Sequence, residues 1–232
     1  MRYDVRWSVD APLRSGSRPG SAARALCNRE DKMKRRTAKI SVVLLLTILL
    51  GCGATTKMIQ TKSQSERTDV FQEISGGDAI PAGHVELIIK ASIKTHIEGY
   101  YGDESIDSAH GKETYPFLIN IDGQAVLWRV KGEKHQLPKY VEGNTSWDPE
   151  AGNGMKYVLE KKVRLAAGTH KVFFGLPEEP YYTEADITMV SGNAYVLEFK
   201  PKYWHKHVPT RMQTFLKGIY RYEVYVNAVK VD

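Results

Sequence analysis

The chain is 232 residues long, with 33 Lys and Arg residues against 27 Asp and Glu residues, and it has two cysteines. The basic excess is confined to the first 52 residues, because the residues that follow hold 22 basic and 23 acidic side chains. A near-neutral domain lacks the basic surface that nucleic acids require, so no nucleic-acid partner is expected. Cys27 and Cys52 both lie in the first 52 residues, which excludes a disulfide or a cysteine metal site from the remainder.

Residues 1–32 carry seven scattered Lys and Arg residues among Ser, Gly and Pro, without a periodic apolar pattern. Such a segment cannot bury a hydrophobic core. Met33 is followed directly by Lys34, Arg35 and Arg36, a charged start that is typical of a signal peptide. We therefore expect Met33 to be the true initiator and residues 1–32 to be outside the translated protein. A disordered cytoplasmic extension is the alternative.

A short apolar segment follows this basic cluster. Ile40–Leu50 is uncharged and leads to a small residue, Gly51, directly before Cys52. A positive flank, an apolar run and a small residue in this order predict a secretory signal peptide over residues 33–51. The run Leu49-Leu50-Gly51-Cys52 resembles the lipobox of bacterial lipoproteins. The resemblance implies cleavage before Cys52 and attachment of more than one acyl chain, palmitate among them, to this residue.

A permanent transmembrane anchor is the competing interpretation of the same segment. The seventeen residues between Lys39 and Lys57 only reach the lower limit for crossing a bilayer, and the last six are small or polar. We therefore expect a cleaved, lipid-anchored product. Gly53, rather than Asp, would be the second residue of the mature chain. By the same resemblance, this implies the outer membrane in a diderm host, and the outward face of the only membrane in a monoderm host.

Residues 52–83 are polar and irregular, since Thr, Ser, Gln and Gly dominate and the few apolar side chains follow no sustained period. We expect the lipidated cysteine and a flexible tether in this segment. About thirty flexible residues span roughly 30 Å, which is enough to clear the lipid headgroups.

From residue 84 onward the pattern becomes that of β-strands. Val85–Ile97 alternates apolar and polar side chains, the period of a half-buried strand. Asp122-Gly123 separates two apolar runs and predicts a tight hairpin, because such a turn requires positive φ. Further strands are predicted at Tyr157–Leu165, Lys171–Leu176, Ile187–Val190, Ala194–Phe199 and Tyr220–Val226. For residues 84–232 this predicts an all-β fold, an antiparallel β-sandwich of about seven or eight strands that folds alone.

The alternation also assigns the two faces of the first long strand. We expect Ile89 and Ile93 to be buried, and Lys90 and Lys94 to face solvent. A charge placed at either isoleucine should therefore cost far more stability than a change at either lysine.

One stretch adds a second resemblance. Leu165–Phe174 reads LAAGTHKVFF, and a later strand begins after the turn at Ser191-Gly192-Asn193. These residues are similar to the turns of PEGA-type exported β-sandwich modules. The resemblance implies a prealbumin-like or immunoglobulin-like sandwich, a fold that hosts many functions.

The segment 131–156 is the first candidate binding site. It is rich in Gly, Pro, Asn and acidic residues, and it contains Tyr140, Trp147 and Asp148. Aromatic faces beside carboxylates suit a sugar or an extended polymer, and long loops on a rigid sheet often carry binding. The alternative is a flexible connection in which Trp147 covers a sheet edge.

His205 and His207 are the candidate metal ligands. Two residues apart on an extended segment, their imidazoles would point to one face and could share an ion. No further ligand with a defined spacing accompanies them, so two solvated histidines are the alternative. The other histidines are scattered along the chain, at His84, His96, His110, His135 and His170.

Motifs of known enzyme classes are not found in the sequence, and Glu178-Glu179 before Pro180 is interpreted as a solvated turn. We therefore expect a non-catalytic binding module of the cell envelope, held at the membrane through Cys52, with an envelope protein or polysaccharide as its partner. No cofactor and no metal is expected. The alternatives are a carbohydrate-binding or carbohydrate-processing module that uses residues 131–156, and a metal-handling lipoprotein that uses His205 and His207.

Overall fold

The computed structural model describes residues 51–75, 79–138, 148–204 and 213–231. Most of these residues are in β-strands, which confirms the all-β prediction. The elements are α1 (Gly51–Lys62), β1 (Phe71–Glu73), β2 (His84–Thr95), β3 (Thr114–Ile121), β4 (Gln124–Leu137), β5 (Gly152–Ala166), β6 (Gly168–Leu176), β7 (Tyr181–Met189), β8 (Ala194–Tyr203), a 3₁₀ turn (Phe215–Lys217), β9 (Ile219–Val226) and β10 (Val229–Lys230).

The ten strands formed by the described residues belong to one curled sheet, in the order β10-β9-β8-β2-β5-β4-β3-β6-β7, with β1 also beside β5. The pair β2 and β8 is parallel, with Leu87 opposite Tyr195, and the other pairs are antiparallel. The prediction of an antiparallel sandwich with seven or eight strands is therefore wrong in strand number and in strand direction. Alternation identifies individual strands, but it does not say which distant strands pair.

The sheet bends at β4, which changes partner along its length. Residues 124–131 pair with β3, and residues 132–137 pair with β5. Gly132 lies at the change, and a Cβ there would come within 2.4 Å of the Tyr157 ring. Glycine therefore permits the close packing of β4 on β5 at the bend.

The concave side of the sheet encloses the main core. On β2 the inward side chains are fully or almost fully buried, as the alternation predicts: Val85, Leu87, Ile89, Ala91 and Ile93. Aromatic rings fill the centre, where Phe174 stacks on Phe199 at 4.3 Å and meets Tyr222 edge to face at 4.8 Å. The hydroxyl of Tyr181 on β7 accepts a hydrogen bond from the backbone amide of Tyr222 on β9 at 2.7 Å, so the two sides of the curled sheet meet here.

The end of β2 departs from the predicted alternation. Lys90 is partly exposed, as expected, but Lys94 is 1% exposed. The hydroxyl of Tyr203 on β8 accepts a hydrogen bond from the Lys94 backbone amide at 2.9 Å. The prediction that Lys94 faces solvent is wrong because other segments cover both faces of this end of the strand.

Residues 53–75, which the sequence assigns to a tether, contain most of α1 and all of β1. Ile59 of α1 packs with Leu118 and Phe173, on the side of β3 and β6 that faces away from the main core. Phe71 of β1 joins the main core and pairs with Leu165 of β5. A few well-placed apolar side chains therefore attach the segment, although they follow no sustained period.

Residues 1–50, with the predicted extension and the apolar part of the signal peptide, lie outside the described residues. In the part of the chain that the structure describes, no helix has the length and apolar character needed to cross a bilayer.

Candidate functional site

A cleft of about 270 Å³ lies where β2 ends, between residues 97–113 and the 3₁₀ turn at Phe215–Lys217. We call it the histidine cleft and define it by five of its lining residues, namely His96, Tyr101, Glu104, His110 and Glu179. Ionisable groups from two separate parts of the chain, residues 96–110 and the turn that holds Glu179, converge there. Such convergence in a concave place is a common mark of a binding or catalytic site.

His96 follows β2 directly and is 5% exposed. Its Nδ1 lies 2.9 Å from the carbonyl oxygen of Ile97. Because a carbonyl can only accept, Nδ1 carries the hydrogen and Nε2 is left for the cleft. Nε2 lies 3.3 Å from Oε1 of Glu104. The rings of Tyr100 and Tyr101 flank the imidazole at 5.8 and 4.9 Å between centroids.

Glu104 lies between the two histidines. Its Oε1 is 3.3 Å from Nε2 of His96 and 3.3 Å from Nδ1 of His110. The hydroxyl of Ser108 donates a hydrogen bond of 2.6 Å to the same oxygen. The Glu104 side chain is 19% exposed, so its position is set by protein groups more than by solvent.

His110 connects Glu104 with Glu179, which precedes β7. Nε2 of His110 lies 2.8 Å from Oε1 of Glu179, although that oxygen is too far off the N–H direction for an aligned hydrogen bond. Burial alone lowers the pKa of His110, but the carboxylates of Glu179, Glu104 and Glu178 outweigh burial and raise this pKa above its usual value. The contact is therefore electrostatically favourable when the imidazole is charged.

Gly111 holds residues 97–113 against the end of β2. Its backbone amide donates to the hydroxyl of Thr95 at 3.1 Å. Its φ is +72°, and a Cβ at this position would lie 2.0 Å from the backbone nitrogen of Glu98. A glycine is therefore required beside His110, both for its backbone conformation and for the close approach of the chain.

The arrangement offers a donor set for a metal ion. One ligand atom each from His96, Glu104 and His110 lie within 4.8 Å of one another. Two imidazole nitrogens and a carboxylate oxygen are ligands that zinc and neighbouring divalent transition metals accept. Among the described residues, these three could hold an ion together.

The sequence did not reveal this site. His96 and His110 belong to the group described above as scattered, and Glu179 belongs to a pair interpreted as solvated, whereas its side chain is 16% exposed. The one local signal was the presence of His96, Glu104 and His110 within fifteen residues. That spacing matches no regular helix or strand face, because the residues lie on an irregular segment.

The residues predicted as sites lie elsewhere. Tyr140, Trp147, His205 and His207 are outside the described residues. Asp148 is exposed, and its Oδ1 accepts a hydrogen bond of 2.8 Å from the backbone amide of Glu150, so it stabilises a turn. The predicted binding segment 131–156 is shorter than expected, because β4 continues to Leu137 and β5 begins at Gly152. Cys52 lies in the first turn of α1.

Comparison of the chain with protein-family models, with curated proteins and with solved structures finds no match. The resemblances to lipoproteins and to PEGA-type modules stay predictions from the sequence.

Proposed function

We propose that the protein is an exported, lipid-anchored component of the cell envelope, and that its β-domain is a non-catalytic binding module. The observation that carries the proposal is the histidine cleft, where two imidazoles and two carboxylates meet in a concave place. Sites of this kind combine shape with a few oriented polar groups, which is the usual composition of a specific binding site. An envelope protein or polysaccharide is the proposed macromolecular partner.

The anchor is proposed at Cys52, following the lipobox-like run that ends there. One acyl chain gives marginal attachment, whereas two or more give stable attachment. Ile59 lies seven positions after Cys52, a rise of about 10 Å along a helix. Because Ile59 packs against Leu118 and Phe173, this anchor would keep the domain close to the lipid surface. Gly53 in the second position favours the outer membrane in a diderm host.

A binding role is favoured over a nucleophilic reaction because the hydroxyl groups beside the cleft are engaged in structural hydrogen bonds. Thr95 Oγ1 donates to the carbonyl of His96 at 3.0 Å and accepts from the amide of Gly111. Ser108 Oγ donates to Glu104 and accepts from the backbone amide of His110 at 3.2 Å, so this hydroxyl orients the carboxylate and the segment that carries His110.

Site-specific photocrosslinking in intact cells tests the proposal. A photoreactive amino acid replaces Tyr101, which lies at the cleft and is 37% exposed, or Val190, which follows β7 and is 64% exposed. We expect a discrete crosslinked envelope component from position 101 and none from position 190. Equal labelling at both positions, or none at position 101, would contradict a partner at the cleft.

A further inference from the structure

We infer that the histidine cleft binds a divalent transition metal ion, with zinc the best match, through Nε2 of His96, Oε1 of Glu104 and Nδ1 of His110. The inference rests on the proposed function only in treating this cleft as a binding site. It does not depend on the lipid anchor or on a macromolecular partner.

The lone pairs of the two imidazoles point towards one place in the cleft. The Ile97 carbonyl holds the hydrogen of His96 on Nδ1, and the Glu179 carboxylate beside Nε2 of His110 favours the hydrogen on that nitrogen. In the neutral rings the lone pairs are then at Nε2 of His96 and Nδ1 of His110. Both face the same carboxylate oxygen of Glu104. A positive charge stabilises three electron-rich atoms that lie so close together, and a divalent ion between them would supply it.

The distances from Glu104 to the two histidine nitrogens are longer than those of strong hydrogen bonds. A charge-assisted N–H···O hydrogen bond usually measures about 2.7–2.9 Å between heavy atoms. Both histidine nitrogens are instead 3.3 Å from Glu104 Oε1. Zinc bonds of about 2.0–2.1 Å in a tetrahedron separate neighbouring ligand atoms by about 3.3–3.4 Å. The two N–O separations therefore match two edges of a tetrahedral site more closely than two hydrogen bonds. The third edge, between the two histidine nitrogens, lies within 4.8 Å and would adjust to about 3.4 Å around a bound ion.

Polar groups also lie behind the proposed ligands. Metal-bound histidines usually donate their second N–H to a carbonyl or a carboxylate, and bound carboxylates are themselves hydrogen-bonded. Here the Ile97 carbonyl accepts from His96, and the Ser108 hydroxyl donates to Glu104. The Glu179 carboxylate lies 2.8 Å from Nε2 of His110, where a small rotation of either side chain would align a hydrogen bond.

The donor types also select the ion. Magnesium and calcium prefer sites built entirely from oxygen ligands, whereas two imidazoles favour zinc, copper or nickel. Three protein ligands leave one tetrahedral position for water or an exchangeable ligand. The cleft supplies space for that position, lined by Tyr101, Asp103 and Phe215. The site is therefore suited to an ion that exchanges or that contacts a partner.

Zinc binding to the full-length protein, purified in detergent and stripped with a chelator, tests the inference. Zinc alone is titrated in competition with a chromophoric chelator. We expect one equivalent to bind to the wild type, and His96→Gln, His110→Gln and Glu104→Gln each to lose most of the affinity. The matched control His84→Gln alters a histidine at the opposite end of β2 and should bind as the wild type does.

Two further variants separate the alternatives. Glu179→Gln removes no ligand, and it should weaken binding by about 10–100-fold while the circular dichroism spectrum stays native. A double variant, His205→Gln with His207→Gln, should leave the zinc affinity unchanged. Cobalt in place of zinc should give the visible absorption of a tetrahedral centre in the wild type, and this absorption should be absent from His110→Gln.

The inference is overturned if the protein takes up no zinc, or if the three ligand variants bind it as tightly as the wild type. It is also overturned if the double variant abolishes binding, because the ion would then be held by His205 and His207. If the protein takes up no zinc, a protonated His110 between Glu104 and Glu179 would explain why these groups lie together. If the protein binds no zinc but still crosslinks from position 101, the proposed function stands and only the metal site is refuted.

Discussion

The ammonium group of Lys94 is held inside the domain by two backbone carbonyls. Nζ donates hydrogen bonds of 2.7 Å to the carbonyl oxygens of Glu150 and Gly152, and it lies 4.7 Å from the centre of the Phe215 ring. Burial lowers the pKa of Lys94, and the nearby carboxylate of Glu150 partly opposes this change. The side chain thus connects the end of β2 to the start of β5.

We expect Lys94→Met to lower the free energy of unfolding by about 2 kcal/mol, because two charge-assisted hydrogen bonds are lost and relief of the buried charge offsets only part of them. Lys90→Met is the matched control on the same strand. Lys90 pairs with Glu160 at 3.1 Å at the surface, so its loss should cost about 0.5 kcal/mol or less. Urea denaturation measures both variants. Equal costs would show that the carbonyl contacts of Lys94 contribute little.

Glu223 on β9 is surrounded by cationic side chains. Nζ of Lys202 lies 3.3 Å from its Oε2, while Arg221 and Lys230 each approach its Oε1 at 3.3 Å, and the Tyr225 hydroxyl donates to Oε2. Partial burial by itself raises the pKa of Glu223, but the Tyr225 hydroxyl and the cations outweigh this effect and lower the pKa to about 2. The ionised form is therefore favoured in the folded state.

A carboxyl group whose pKa is lower in the folded state adds stability above its unfolded pKa, and this stability is lost as the pH falls towards the folded pKa. We expect Glu223→Gln to cost about 1 kcal/mol at pH 7, after solvent screening at the surface is considered. The difference from the wild type should shrink as the pH falls from 4.5 to about 2. Denaturation at several pH values measures it, and a difference independent of pH would contradict the assignment.

At the scale of one element, residues 97–113 form the irregular segment that carries Glu104 and His110. Turn hydrogen bonds stabilise it, among them Tyr100 to Ile97 at 3.2 Å and Ser108 to Ser105 at 3.0 Å between backbone atoms. Its return to the sheet depends on Gly111, where positive φ and a close backbone contact coincide. The geometry of the histidine cleft is therefore a property of the whole segment.

We expect Gly111→Ala to lower the free energy of unfolding by about 2 kcal/mol or more, because the new Cβ would meet the Glu98 backbone in a strained conformation. Gly102→Ala, in the same segment, meets no atom within 4 Å and is the matched control. Thermal denaturation compares the two variants. If they lose the same stability, the close approach at Gly111 is not what holds the segment.

At the scale of the whole molecule, the sheet is completed by residues that precede β2. The amides of Val70 and Phe71 donate to the side-chain oxygen of Gln124 at 2.8 and 3.0 Å, and the amide of Glu66 donates to the carbonyl of Gly123 at 2.9 Å. Together with the burial of Ile59, these contacts make residues 53–75 part of the packed domain.

We expect a fragment that begins at residue 84 to be less stable than one that begins at Gly53, by about 3 kcal/mol or more. The reason is that the shorter fragment loses two buried apolar side chains, Ile59 and Phe71, each worth about 1.5–3 kcal/mol. Guanidinium denaturation of both fragments measures the difference. Identical midpoints would mean that residues 53–83 act only as a tether, as the sequence predicts.

The proposed anchor gives a prediction for the intact cell. Cys52→Ser removes the acyl acceptor, so we expect an unlipidated protein that no longer partitions into detergent with the membrane fraction. Phase partitioning and fractionation measure this, with Ser63→Ala, a change outside the lipobox-like run, as the control. A Cys52→Ser protein that partitions like the wild type, with its signal peptide removed, would contradict the anchor.

The sequence by itself determined the β character of the domain and the positions of most of its strands. The alternation from Val85 to Ile93 and the Asp122-Gly123 turn depend on neighbouring residues alone. The structure confirms the buried apolar positions from Val85 to Ile93 and the turn, with φ of +46° and +94°, whereas Ile97 lies beyond β2 and is 44% exposed. Local steric rules and burial of one strand face suffice for such features. The basic cluster, the apolar run and the small residue before Cys52 likewise form a local pattern in the sequence.

Only the tertiary structure decided the parallel pairing of β2 with β8, the burial of Lys94 and the convergence of His96, Glu104, His110 and Glu179. Each depends on segments that are distant in the chain, as Glu179 is from His110. Periodicity reports which face of a strand is apolar, but not which distant segment covers that face. The histidine cleft is formed by such coverage, because the curled sheet places the turn before β7 against the segment that follows β2.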